Sequence, residues 1–147
     1  MIVKIVNKST NPLPEFKTPG SAGMDICANI PHIKDGLDIK PGEIVKVLTG
    51  IFLEIPQGYE CQVRSRSGLA AQGICVANSP RTIDSDYHGG ITVLLVNHGE
   101  QAFQINHGDR IAQLVFNKIE QPEFYVVEKL TPTERGEGGF GNTGIKS

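Results

Sequence analysis

Apolar residues recur in short bursts along the chain, mostly at every second position, which is the spacing of strands rather than of helices. Ile2, Ile5 and Val6 suggest a first strand, followed by a Pro-punctuated loop over residues 11–20. Met24, Ile26 and Ala28 alternate with Asp25 and Cys27, as in a half-buried strand. Residues 44–48 and 51–55 read as two strands flanking Thr49-Gly50, and Pro56-Gln57-Gly58 turns the chain into a strand over 59–64. The stretch SRSGLAAQ, residues 65–72, has room for only one helical turn. Further strands are predicted at 74–78, 91–96, 101–106, 110–119 and, last, 124–130. Within the stretch 78–97 (NSPRTIDSDYHGGITVLLVN), Gly89-Gly90 predicts a tight reversal at positive φ. A β-hairpin there would hold Asp84, Asp86 and Tyr87 on stiff backbone. Short strands separated by turns indicate an all-β barrel or sandwich.

The pattern breaks at Thr131. Residues 131–147 contain five Gly and almost no aliphatic side chain, so they lack the burial needed to order themselves. A single all-β domain over 1–130 and a flexible Gly-rich arm over 131–147 are expected.

Composition sharpens this picture. The chain has 147 residues, 17 of them Gly and nine Pro, which favours turns over long helices. The net charge of −2 supplies no basic field for nucleic acid, so an anionic ligand must be held by local cations. Cys27, Cys61 and Cys75 are an odd count without a CxxC pair, which argues against a disulfide framework or zinc site. The first apolar run is too short for a membrane span or a signal peptide, and a cytoplasmic location is expected.

Several groups could carry chemistry. Arg66-Ser67-Gly68 follows a strand and opens a helical turn, giving either an anion site or an ordinary capped turn. Arg110 and Gln113 are three apart in a strand and should face opposite sides. The four His show no ligand spacing. Residues 136–141 (GEGGFG) match GxGxxG formally but lack the strand-to-helix setting of a dinucleotide site. No Ser–His–Asp or Cys–His arrangement is evident, which disfavours a covalent nucleophile. What remains is a set of arginines, a phosphate-type turn, an Asp–Tyr loop and a Gly-rich arm bearing Phe140. That inventory suits displacement by water on a nucleotide polyphosphate, with a carboxylate orienting water and Mg2+ clamping the phosphates.

Five segments in this order resemble the homotrimeric, all-β dUTPases: Ala22-Gly23-Met24-Asp25, Arg66-Ser67-Gly68-Leu69-Ala70, residues 78–89, Gly108-Asp109-Arg110-Ile111-Ala112-Gln113, and residues 135–144. The resemblance spans nearly the whole chain. It implies a jelly-roll-like β-barrel with at most one short helix, three sites each built from three chains, and hydrolysis of dUTP to dUMP and pyrophosphate. It further implies that Asp84 orients the attacking water and that Tyr87 lies against the deoxyribose. Asn78 and the backbone of Arg81, Thr82, Ile83 and Thr92 would read uracil. Arg66, Ser67, Gly68 and Gln113 would bind phosphates, and Arg110 would support a subunit contact. Asp25 would hold a metal-bound water or an arginine, with Mg2+ ligated by phosphate oxygens and water rather than directly by protein. Arg135 and the arm residues Phe140, Gly141, Asn142 and Thr143 would close over the nucleotide, with Phe140 stacked on the base.

Two positions depart from the family pattern: Arg81 stands where Gly is usual, and Asn142 where Ser is usual. Arg81 puts the shape of the base pocket in question. A dCTP deaminase of the same fold is an alternative, but such enzymes carry a catalytic Glu near the base and no Glu lies between Cys61 and Gly99. A non-catalytic dUTPase-like signalling module is a second alternative, against which the intact Asp84 and Tyr87 argue.

Overall fold

The computed structural model describes residues 1–144. In chain order the elements are β1 (Lys4–Asn7), β2 (Met24–Cys27), β3 (Leu37–Ile39), β4 (Ile44–Glu54), β5 (Tyr59–Arg64), α1 (Ser67–Ala70), β6 (Ile74–Val76), β7 (Arg81–Ile83), β8 (Gly90–Asn97), β9 (Phe103–Ile105) and β10 (Arg110–Lys118). The strands form a β1-β4-β8-β6 sheet, a β2-β10-β5-β7 sheet and a small β3-β9 ribbon, all antiparallel. The all-β expectation with one short helix therefore holds. None of the described helices is long and apolar enough to cross a membrane.

The alternation read from the sequence places the core between the two larger sheets. Val47, Ile91, Val93 and Leu95 of one sheet face Ile26, Val63, Ile83 and Leu114 of the other, all essentially buried. Each such aliphatic side chain contributes about 1.5–3 kcal/mol relative to exposure, so their shared face sets the register of every strand. Asn97, buried at the end of β8, is fully satisfied. Its amide donates to the Ile39 and Gln101 carbonyls at 2.7 Å each, and its oxygen accepts from Gly99 N–H at 2.8 Å.

Three local expectations are corrected. The two strands expected over 44–48 and 51–55 are one strand, β4, ending at Glu54, whose pairing with β8 shifts register between Leu48 and Phe52. Gly50 takes φ +71° at this irregularity, and the buried Thr49 hydroxyl donates to the Ile91 carbonyl at 2.7 Å, bridging the interrupted ladder.

The segment around Asp84 is not a hairpin. β7 pairs with β5 and β8 with β4 and β6, so residues 84–89 cross from one sheet to the other. Ile83 and the Ile91–Val93–Leu95 face enter the same core from opposite sides, which two hairpin-paired strands would not do.

Residues 124–130, expected as the last strand, pair with no strand among the described residues: Phe124, Tyr125 and Val126 are about nine-tenths exposed. They stay unpaired although β1, β6, β2 and β7 are the outer strands of the two sheets, and among the described residues the last strand ends at Lys118.

Candidate active site

Ile83, anchored in the core, delivers the chain into a turn in which Tyr87 N–H donates to the Asp84 carbonyl at 3.1 Å. Asp84 and Asp86 line this turn. Both border a cleft of about 1030 Å3 that also touches Glu54, Glu60, Thr82 and His88. Tyr87 folds back over the crossing, its hydroxyl donating to the Gly90 carbonyl at 3.2 Å. Neither Gly89 nor Gly90 takes positive φ, contrary to expectation. They are glycines for space instead: a Cβ on Gly89 would strike the Tyr87 ring, and one on Gly90 would meet the Phe52 ring at 3.3 Å.

Arg81 lies opposite Val63 and two residues before Ile83, so it shares their inward face at the rim of the sandwich. Its guanidinium reaches across to the other sheet and donates to the Thr92 carbonyl. It also lies over the Tyr87 ring, 5.8 Å from the centroid. Thr82 points outward, and Arg81, Thr82, Ile83, Tyr87 and Thr92 meet at one crossing, whereas Asn78 is exposed three residues ahead of β7.

The second group is a row across the other sheet. Arg64, Gln113 and Asp25 are register partners on β5, β10 and β2. Asp25 accepts from Arg66 Nε at 2.8 Å and from Arg110 Nη1 at 3.1 Å, while Arg66 also donates to the Arg110 carbonyl at 2.9 Å. One carboxylate therefore orients two guanidinium groups of its own chain. Ser67 and Gly68 open α1, where first-turn N–H groups have no partner within the helix.

Arg110 and Gln113 do not face opposite sides. A bulge between Arg110 and Ala112 turns both Ile111 and Ala112 inward, which brings Arg110 to Asp25 and Gln113 to the Ser65 carbonyl at 3.0 Å. The bulge has no local sequence signature, because an extra residue costs nothing in the apolar pair Ile111-Ala112.

Ser65 was missed by sequence reasoning. Besides its carbonyl accepting from Gln113, its hydroxyl accepts from Val76 N–H at 2.9 Å and its N–H donates to Ser79 Oγ at 3.4 Å. It thus ties the start of α1 to the approach to β7, through contacts that only the folded chain brings together.

In a single protomer the two groups are far apart. Asp84 follows Ile83, which pairs with Cys61, so it stands level with Glu60, four residues along β5 from Arg64. It is also three strands from β2. Ordinary sheet spacings of about 3.3 Å per residue and 4.8 Å per strand put Asp84 and Asp25 roughly 19 Å apart.

The arm is equally separate. Among the described residues its hydrogen bonds are local turns, such as Arg135 Nε to the Gly138 carbonyl at 2.8 Å and Asn142 N–H to the Gly139 carbonyl at 3.1 Å. Phe140 is fully exposed at φ +49°, with Gly141, Asn142 and Thr143 exposed beside it.

The cysteines are free thiols. Burial pushes the Cys61 thiol up to about 12. Cys27 is raised by burial and then by the Asp25 charge, which keeps it protonated beside the arginines. Neither is an activated nucleophile. No group of three or more His, Cys, Asp or Glu able to hold a metal ion forms among the described residues.

Known proteins resemble this chain in sequence and in fold. Residues 9–144 match the dUTPase family profile. The chain is 50% identical over 144 residues to a deoxyuridine 5'-triphosphate nucleotidohydrolase of Anaplasma marginale (strain St. Maries), covering 97% of this chain and 96% of that one. It is also 50% identical over 143 residues to the protein of the same name from Fusobacterium nucleatum, with the same coverage. Among solved structures it is similar to the Staphylococcus bacteriophage 80alpha dUTPase with dUPNHPP, at a TM-score of 0.86 and 26% identity over 98% of this chain and 99% of that chain. The match takes in every motif around Asp84, Asp25, Arg66 and Gln113, and the chain belongs to the dUTPase family.

Proposed function

We propose that this chain hydrolyses dUTP to dUMP and pyrophosphate by attack of water on the α-phosphorus. The observation that carries the reading is the Asp84–Tyr87 turn at the crossing between the sheets, with Arg81 and Thr92 beside it. Asp84 takes the proton of the attacking water as its oxygen bonds to phosphorus, and the bridging α–β oxygen departs with pyrophosphate. Tyr87 backs the deoxyribose, leaving no room for a 2'-hydroxyl. Asn78 and the backbone of Arg81, Thr82, Ile83 and Thr92 read the uracil edge. A methyl at C5 is refused by collision, which discriminates better than a lost hydrogen bond between such similar bases.

The phosphates fall to Arg66, Ser67, Gly68 and Gln113, with Arg110 and Asp25 holding Arg66 in place. Two supports point to a homotrimer with shared sites. Asp84 is too far from Arg66 in one protomer for both to touch the same triphosphate, so a neighbouring copy supplies the cations. Exposed Phe124, Tyr125, Val126 and Leu130 also leave an apolar, strand-forming segment in water unless another copy covers it. The arm closes from a neighbour as well, with Arg135 at the γ-phosphate, Phe140 on the base and Gly141, Asn142 and Thr143 at the phosphates.

Both Asp25 oxygens are taken by arginines, whereas Asp84 and Asp86 border the open cleft. This donor set fits Mg2+ brought in on the triphosphate and held by phosphate oxygens and water, with Asp25 at one remove. When bound, the ion neutralises charge on the departing pyrophosphate. A cytoplasmic location accords with a free nucleotide substrate. Pyrophosphate release from dUTP with Mg2+, against dCTP, dTTP and UTP as controls, tests the reading. Release restricted to dUTP supports it, and ammonia release from dCTP would overturn it.

A further inference from the structure

We infer that the Arg81 side chain is a specificity-determining latch that closes the gap between β7 and β8 in the nucleotide-free chain and must be displaced by the base. The inference rests on the reading that the base binds between β7 and β8. The register with Val63 and Ile83 sends Arg81 inward, not into solvent. Its guanidinium closes the gap between the two sheets by donating to the Thr92 carbonyl, and it lies over the Tyr87 ring, 5.8 Å from the centroid. Both groups are ones the nucleotide needs: the carbonyl to pair with a donor on the base edge, and the ring to lie against the sugar.

A ligand that displaces the guanidinium must therefore replace its bond to Thr92. Uracil carries an N3–H donor between two carbonyl acceptors and can do so. Cytosine in the same register has a bare acceptor at N3 and would leave the Thr92 oxygen facing another lone pair, a costly arrangement when partly buried. Its N4 amino group could reach that oxygen only by shifting the base. A pyrimidine with an N–H at the centre of its pairing edge is thus the ligand class that opens the latch. Displacement also removes a cation over an aromatic ring, which adds to what the base must replace. Tyr87 stays in place because its own hydroxyl is held by Gly90, so Arg81 is the part free to move.

The test is calorimetric binding of dUMP to the full-length protein and to Arg81→Gly and Arg81→Thr. The Thr variant keeps strand propensity should glycine loosen β7. Without the latch, dUMP should bind roughly tenfold more tightly, the equivalent of one displaced hydrogen bond to a charged donor. KM for dUTP should fall with it, and binding of inorganic tripolyphosphate should not change. In parallel, the Arg81 guanidinium N–H signals of the parent, followed by NMR, should exchange slowly without ligand and rapidly with saturating dUMP. Unchanged or weaker dUMP binding in both variants would overturn the latch, and weaker binding would mean that Arg81 reads the base directly. If dUMP binds but the guanidinium stays protected, the latch fails while the base pocket stands. If dUMP binds none of the three proteins, the base pocket reading fails and the latch with it.

Discussion

Replacing Asp25 by Asn leaves the shape of the cation row intact while removing the charge that holds it. Asp25 receives one bond at 2.8 Å from Arg66, whose side chain is 27% exposed, and one at 3.1 Å from Arg110, which is 52% exposed. The first is a charge-assisted bond in a partly shielded setting, worth about 1.5 kcal/mol. The second is close to a surface pair and adds about 0.5 kcal/mol. In Asp25→Asn one oxygen still accepts, but the amide N–H2 faces a guanidinium that has only donors. A loss of about 1.5–2 kcal/mol in unfolding free energy follows, measured by urea denaturation at fixed protein concentration. The functional effect should be distinct. Arg66 loses its orientation, so KM for dUTP should rise, and Arg66→Ala should cost much less when combined with Asp25→Asn than in the parent. Stability within about 0.3 kcal/mol of the parent, with an undiminished cost for Arg66→Ala, would refute the claim that Asp25 holds Arg66.

Other perturbations separate the parts. Asp84→Asn should lower kcat by about 10²–10⁴-fold, the range of a lost general base, and leave dUMP affinity nearly unchanged; a parallel loss of affinity would contradict its transition-state role. Removing residues 134–147 should leave the assembly state and melting temperature unaltered, since the arm's described bonds are local, while kcat/KM drops by about 100-fold through the lost base stacking; retained activity would show that the arm does not close the site. Iodoacetamide at pH 8 should spare Cys61 in the native protein, because burial pushes its thiol up to about 12, and should label it after denaturation. Native labelling of Cys61 detected by peptide mass would show that its pocket opens.

The strands were legible because alternation and turn residues act locally: Met24–Cys27, Tyr59–Arg64 and Arg110–Lys118 all lie where the pattern put them. Partner choice was not legible. β7 and β8 read as a hairpin because they adjoin Gly89-Gly90, yet each buries its apolar face against a different sheet. The same limit hid the bulge that sends Arg110 and Gln113 to one side, since both faces of an apolar pair look alike in sequence. Residues 124–130 carry a strand's composition without a strand's partner among the described residues. For the site, residue types and order were enough to single out Asp84 and Tyr87, which the fold joins in one turn. What they could not supply was the reach of Arg81 to Thr92 or the bracing by Ser65, which depend on residues brought together across sheets.

The central claim is that each site joins Asp84 of one copy to Arg66 of another. Purified Asp84→Asn and Arg66→Ala proteins, each nearly inactive, can be unfolded together, refolded as a mixture and assayed for pyrophosphate release from dUTP. Mixed assemblies contain sites with an intact Asp84 facing an intact Arg66, so the account predicts that a substantial fraction of parental activity returns. A mixture that refolds and assembles yet remains as inactive as its two components would mean that both residues serve from the same chain.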